Sequence, residues 1–242
     1  MKDAAEFGLN KTPAQLHPVM TQAMLEGCEE FPPHAEDMAC DAFTLRKSYI
    51  QHSEQLGAVP LPSTLRGAVS TGVLAIQGNS PSVLIDKLGE RMAFERSGIR
   101  LYDALITKCK SAQPVLDIET LEQFRNDEAE HFSLVRDCIA SMGGDPTAQT
   151  PCADSAGMAA MGLMQVLNDP RSSIPQCVEA ILMAELADFA AWELLIELAD
   201  ESGLSDYIDK FQQARMTENH HMHVMKKWLE QMTLNNQVEA LG

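Results

Sequence analysis

Two stretches of this chain carry one pattern of apolar positions, interrupted at the same places and separated by 90 residues. In the first, Leu88, Met92, Glu95, Ile99, Tyr102 and Ile106 follow the alternating four-and-three spacing of a helix seam in a bundle. A second seam follows at Leu121, Phe124, Glu128, His131, Val135, Cys138 and Met142. The pair recurs as Val178, Leu182, Glu185, Phe189, Trp192 and Ile196, then Phe211, Ala214, Glu218, His221, Met225, Trp228 and Met232. Glu95 matches Glu185, Glu128 matches Glu218, His131 matches His221, and Arg125 matches Arg215. An internal repeat of this kind requires four long helices that turn these seams toward one another.

Local signals place the helix ends. Ser80 before Pro81 supplies a capping hydroxyl with proline at the first helical position, and "SMGGDP" at 141–146 is a helix stop. Helices are expected at about 81–111, 118–142, 175–201 and 205–234. The first and last pairs have short connections and should run antiparallel, whereas 143–174 must cross over, with a small helix around "SAGMAAMGLMQVL". Residues 1–79 read as two or three short amphipathic helices, broken by "FPPH" and "VPLPS". They form an N-terminal helical extension, expected to pack on the bundle of 80–242 or on a partner subunit in a homodimer.

Composition agrees with an all-α chain: 5% aromatic residues, 14 Met, and runs of Ala, Leu, Glu and Gln that lose little rotamer freedom in a helix. A net charge of -17 repels nucleic-acid phosphates and anionic membranes, so neither is an expected partner. Six cysteines without a C-x-x-C pair or zinc-type spacing read as reduced, buried thiols. The first ten residues lack the apolar stretch of a signal peptide, and a cytoplasmic location is expected.

Seam carboxylates lose several kcal/mol by desolvation unless paired, and four at one level repel one another. Two divalent cations relieve both penalties, because four glutamates and two neutral imidazoles bring a ligand charge of four. Glu-x-x-His places both side chains on one helix face, so both reach the same interior region. One such motif means little. Here each is preceded by a seam glutamate 33 residues earlier.

The order Glu, Glu-x-x-His, Glu, Glu-x-x-His on four helices resembles the ferritin-like di-iron carboxylate proteins, over about residues 80–235. The resemblance implies an up-down four-helix bundle with a long crossover between its second and third helices. It implies metal ligands at Glu95, Glu128, His131, Glu185, Glu218 and His221, with Glu128 and Glu218 bridging and Glu95 and Glu185 terminal, one to each metal. Oxygen and nitrogen donors without thiolate favour two iron ions, with manganese second and zinc adventitious.

Flanking residues admit two readings each. Asp127 stands where some members of that family hold the opposite histidine's free N–H, here that of His221, or it is a solvated acid. Its repeat partner is Thr217, which leaves the backing of His131 open. Tyr102 is an accessory candidate that could hydrogen-bond a ligand or be redox-active, but Trp192 at the repeat position favours packing. His220 and His223 point away from His221 on a helical wheel and read as solvated. Arg125 and Arg215 read equally as surface pairs or as partners of acids near the ligands.

The expected function is an oxidoreductase reacting with O₂ or peroxide, as a ferroxidase, peroxidase or oxygenase, with Fe(II) or a small organic molecule as substrate. No C-x-x-C module of the rubrerythrin kind is present, and acidity disfavours a tRNA substrate. The alternatives are a non-catalytic metal-binding or stress-associated bundle, and a structural bundle that has lost its metal.

Overall fold

The computed structural model describes residues 13–32, 35–54, 56–60, 81–111 and 116–239. Among them all regular structure is helical. The chain divides into two compact units, residues 2–55 and a larger one from Leu56 to Gly242. The boundary expected at 79/80 borders residues 61–80, which, with the Ser80 cap, lie outside the described residues.

The smaller unit contains α1 (Pro13–Leu16), α2 (Pro18–Glu30) and α3 (Ala35–His52). Taken by itself it has little core. Val19, Met20, Met24, Phe43, Tyr49 and Ile50 are all exposed.

The larger unit holds α4 (Pro81–Ser111), α5 (Ile118–Ser141), α6 (Pro151–Asn168), α7 (Ile174–Glu201) and α8 (Ser205–Glu239). Expected and observed starts agree to within a residue for the four long helices, because each start carries a local signal. Asp117 caps α5 by accepting from Glu119 N, and Ser173 with Gln176 closes a capping box on α7. Gly143 (φ 83°) and Gly203 (φ 71°) end α5 and α7 in the left-handed region, where a side chain would strain the backbone.

Core composition gives the helix directions. At one end Leu84, Leu88, Val135, Cys138, Trp192, Leu195 and Phe211 pack together; at the other Leu101, Leu105, Leu121, Phe124, Val178, Ile181 and Met225 do so. The start of α4 thus meets the ends of α5 and α7 and the start of α8, so adjacent long helices are antiparallel and diagonal ones parallel. Helix α6 packs on α4 and α7 and carries the chain back along the bundle between α5 and α7. It is longer than the small helix expected there.

The crossover is pinned at both ends. Asp86 on α4 accepts from Cys152 N at 2.8 Å, and Thr150 caps α6 beside Gly89, where a Cβ would lie 2.5 Å from the threonine hydroxyl. At the far end Lys108 donates to the carbonyls of Asp169 and Ser172. None of the described helices is long and apolar enough to cross a membrane. Cys109, Cys138 and Cys177 are buried free thiols, as expected; Cys152 is half-buried and Cys28 exposed.

Candidate metal centre

The layer between the two core clusters is polar. Glu95 comes from α4, Glu128 and His131 from α5, Glu185 from α7, and Glu218 and His221 from α8, and none is more than 7% exposed. Their ligand atoms fall into two main groups whose members lie within 4.8 Å of one another: Glu95, His131 and Glu218, and Glu128, Glu185, Glu218 and His221. Glu218 belongs to both. All six residues singled out by the repeat are brought together, while the nearby acids Glu179 and Glu193 face solvent.

Both imidazoles turn Nδ1 inward. His131 Nδ1 lies 2.5 Å from Glu218 Oε1 and 3.7 Å from Glu95 Oε2. His221 Nδ1 lies 3.2 Å from Glu218 Oε2 and 3.6 Å from oxygens of Glu128 and Glu185. Neither Nδ1 has a hydrogen bond, and neither do both oxygens of Glu95 and Glu218 or one oxygen each of Glu128 and Glu185. Buried polar atoms are ordinarily satisfied, and these eight converge with ion-pair contacts but without aligned hydrogen bonds, a donor set that could also hold a cation. Two divalent cations fit this donor set in both charge and chemistry.

Electrostatics show how the layer is balanced without cations. Burial and the Glu218 charge raise Glu128 well above the ordinary carboxylate range. Burial also lifts Glu185 to about 7, although His221 and Tyr102 oppose it. Burial alone would lower His131, but contacts with Glu218 and Glu95 lift it to about 10. His221 is raised against burial by Asp127, Glu128, Glu185 and Glu218. The two imidazoliums hold Glu218 below its usual range despite its burial. In the absence of cations, protons neutralise the layer.

The residues behind the ligands differ between the halves. Asp127 Oδ2 lies 3.1 Å from His221 Nε2, the backing role rather than the solvated one. Thr217 donates to Gln213 O, 3.2 Å away, and gives His131 no such support. The Phe124 ring lies 4.1 Å from that of His221, centroid to centroid, whereas its repeat partner is Ala214. Beside His131 a cleft of about 390 Å³ opens between α5 and α8, lined by Asp127, Glu130, His131, Ala214 and Thr217 among others. A larger groove, about 1040 Å³, lies between α4 and α6 around Thr107, Lys108 and Met164 and contains none of the six.

Tyr102 donates to Glu185 Oε1 at 2.5 Å, so packing is not its whole role. Burial and Glu185 raise its phenol well above the ordinary value. Trp192, its repeat partner, sits 5.6 Å from the His131 ring, and its Nε1 has no hydrogen bond. His220 and His223 are exposed, as the helical wheel indicates. Arg125 pairs with Asp103 at 3.7 Å and Arg215 with Glu193 at 3.1 Å, both on the surface. Asp103 and Glu193 are themselves 90 residues apart, so the repeat extends beyond the seam.

Sequence reasoning missed three residues. Arg91 and Asp188 are each 2% exposed, and both reach the layer. Gly98 faces Glu128: a Cβ there would lie 2.0 Å from Glu128 Oε2, so the carboxylate occupies the space that a side chain would take. Arg91 four residues before Glu95, and Asp188 three after Glu185, have the spacings that share a helix face and could have raised them. Comparison of the chain with protein-family models, with curated proteins and with solved structures finds no match.

Proposed function

We propose that this chain is a ferritin-like di-iron oxidoreductase whose metals sit among Glu95, Glu128, His131, Glu185, Glu218 and His221. The observation that carries the reading is the set of eight buried ligand atoms without hydrogen bonds, including both imidazole Nδ1 atoms. Glu218 belongs to both ligand groups, so it could serve both metals. A reduced iron pair supplies electrons to O₂ or peroxide when bound.

The protein's own side chains prepare that chemistry. Asp127 beside Nε2 would hold one proton there, so that on losing the other His221 would present its Nδ1 lone pair to a metal. Tyr102 fixes one oxygen of Glu185 and leaves the other turned to the layer. Phe124 excludes water from the His221 side. The cleft beside His131 gives a small oxidant, or Fe(II) itself, a way in between α5 and α8.

A second reading is a polar layer that fixes helix register without metal. The close contact of His131 Nδ1 with Glu218 favours it, since an imidazolium there would partly neutralise the carboxylates. Loading the full chain anaerobically with Fe(II) and counting metal separates the two. Di-iron function predicts about two irons per chain, a sharp fall in Glu128→Ala, fast oxidation by O₂ or H₂O₂, and return to the starting absorption on re-reduction. A metal-free chain, or binding unchanged in Glu128→Ala, contradicts it.

A further inference from the structure

Arg91 is a fully buried guanidinium among carboxylates. Its Nε lies 3.0 Å from Glu95 Oε1 and its Nη1 lies 2.5 Å from Asp188 Oδ1, while Nη1 also donates to the Asp188 carbonyl at 3.2 Å. The Nε, Glu95 Oε1 and Asp188 Oδ1 atoms have no aligned hydrogen bond, so the side-chain contacts are those of charge rather than direction. Phe94 and Trp192 flank the guanidinium, with its central carbon 4.6 and 5.8 Å from their ring centroids.

Asp188 also belongs to a third group of converging donors. One oxygen each from Glu95, Glu128, Asp188 and Glu218 lies within 4.8 Å of the others. Three of these residues already serve the two groups above; Asp188 is the addition. Fully ionised, as metal binding would require, four glutamates and Asp188 bring five negative charges to the layer, and Arg91, which stays protonated at any working pH, returns one. Four remain, the number that two divalent ions balance.

Resting on the dimetal reading, we infer that Glu95, Glu128, Asp188 and Glu218 form a third cation position, which Arg91 fills as a tethered monovalent cation. The guanidinium thereby limits the layer to two metal ions and holds Asp188 away from them. Loss of its charge leaves one carboxylate uncompensated beside Glu95, in a space lined by oxygen donors that suit Mg²⁺, Mn²⁺ or Fe²⁺.

The experiment counts Mn(II) bound per full-length chain under anaerobic conditions, by elemental analysis and by calorimetric titration. The native chain and Arg91→Lys, which keeps the charge, are expected to stop at about two ions. Arg91→Met is expected to take up about one more, with affinity within roughly tenfold of the second ion, and Arg91→Met/Asp188→Asn to lose it again. A count of two in folded Arg91→Met, or an extra ion that survives Asp188→Asn, overturns the inference. Should Arg91→Met not fold, Arg91→Met/Asp188→Leu removes both charges and replaces a buried ion pair by apolar bulk, an exchange proteins commonly tolerate. It must then fold and bind two ions as tightly as the native chain; a weaker or different count overturns the third position. A native chain that binds no manganese or iron overturns the dimetal reading itself, and this inference with it.

Discussion

His131 and His221 stand 90 residues apart at equivalent points of the repeat, yet their surroundings differ. His221 is completely buried, backed by Asp127 and covered by Phe124. His131 borders a cleft, with Thr217 and Ala214 at the corresponding positions. The same divergence separates Glu185, fixed by Tyr102, from Glu95, paired with Arg91 beside Trp192. The repeat preserved the side chains that converge on the layer and varied the residues behind them. A symmetrical donor set thus has two unequal sides, one closed around His221, the other bordering a cleft and sharing Glu95 with Arg91.

The largest expected effect comes from Gly98, where the halves differ most sharply: its repeat partner is Asp188. Gly98→Ala pushes against Glu128 Oε2, an overpacking that costs about 1–3 kcal/mol and removes a carboxylate from the layer. Metal binding should fall at least tenfold, read by Fe(II) titration alongside thermal unfolding. Binding unchanged from the native chain would show that Glu128 is not held where the geometry puts it.

Next come the imidazole supports. Asp127→Ala should weaken metal binding by roughly 10–100-fold at the His221 position, whereas Thr217→Ala should leave both positions within about twofold. Thr217→Asp should strengthen the His131 position and narrow the gap. Calorimetric titrations that resolve two binding steps measure these changes; equal losses in Asp127→Ala and Thr217→Ala would remove the asymmetry.

A smaller effect is expected at Tyr102 and Trp192. Tyr102→Phe removes a hydrogen bond to a buried carboxylate and should cost about 1.5–3 kcal/mol of stability in the metal-free chain. Trp192→Phe removes no hydrogen bond, and its cost should come from lost packing alone. Denaturant unfolding of both variants and of each with added Fe(II) gives the comparison.

The proton balance is the subtlest prediction. In the metal-free fold Glu185 titrates near 7 and His131 near 10, both above their unfolded values. Each contribution favours the folded chain at low pH. Glu185's is lost as pH rises from its unfolded value to about 7, and His131's as pH rises from its unfolded value to about 10. Metal must displace those protons, so its affinity should rise with pH while the metal-free chain loses stability. The separation in Tm between loaded and metal-free protein should widen from pH 6 to 8, with protons released on loading. A constant separation without proton release contradicts these assignments.

The six converging residues were legible because a carboxylate or imidazole on an apolar seam costs free energy, and the same cost recurring 90 residues later is hard to attribute to accident. Helix starts were legible because caps such as Ser173 and Asp117, found in the structure, act within one turn of chain. Arg91 and Asp188 were hidden by the criterion that found the ligands, since their repeat partners are Ile181 and Gly98. Gly98 reads in sequence as a weak spot in a helix, and only the approach of Glu128 from α5 explains it. Tyr102 stood open between packing and a hydrogen bond to a ligand because Trp192 made bulk look sufficient; its hydroxyl meets a carboxylate on α7. Pairings between helices distant in sequence, and departures from the repeat, are what the linear pattern leaves out.

Anomalous diffraction from crystals of the full chain loaded anaerobically with Fe(II) tests the central claim most directly. Two iron peaks are expected inside the bundle, one bounded by Glu95, His131 and Glu218, the other by Glu128, Glu185, Glu218 and His221. Peaks absent from this layer, or a single peak at the exposed His220 and His223, would contradict it.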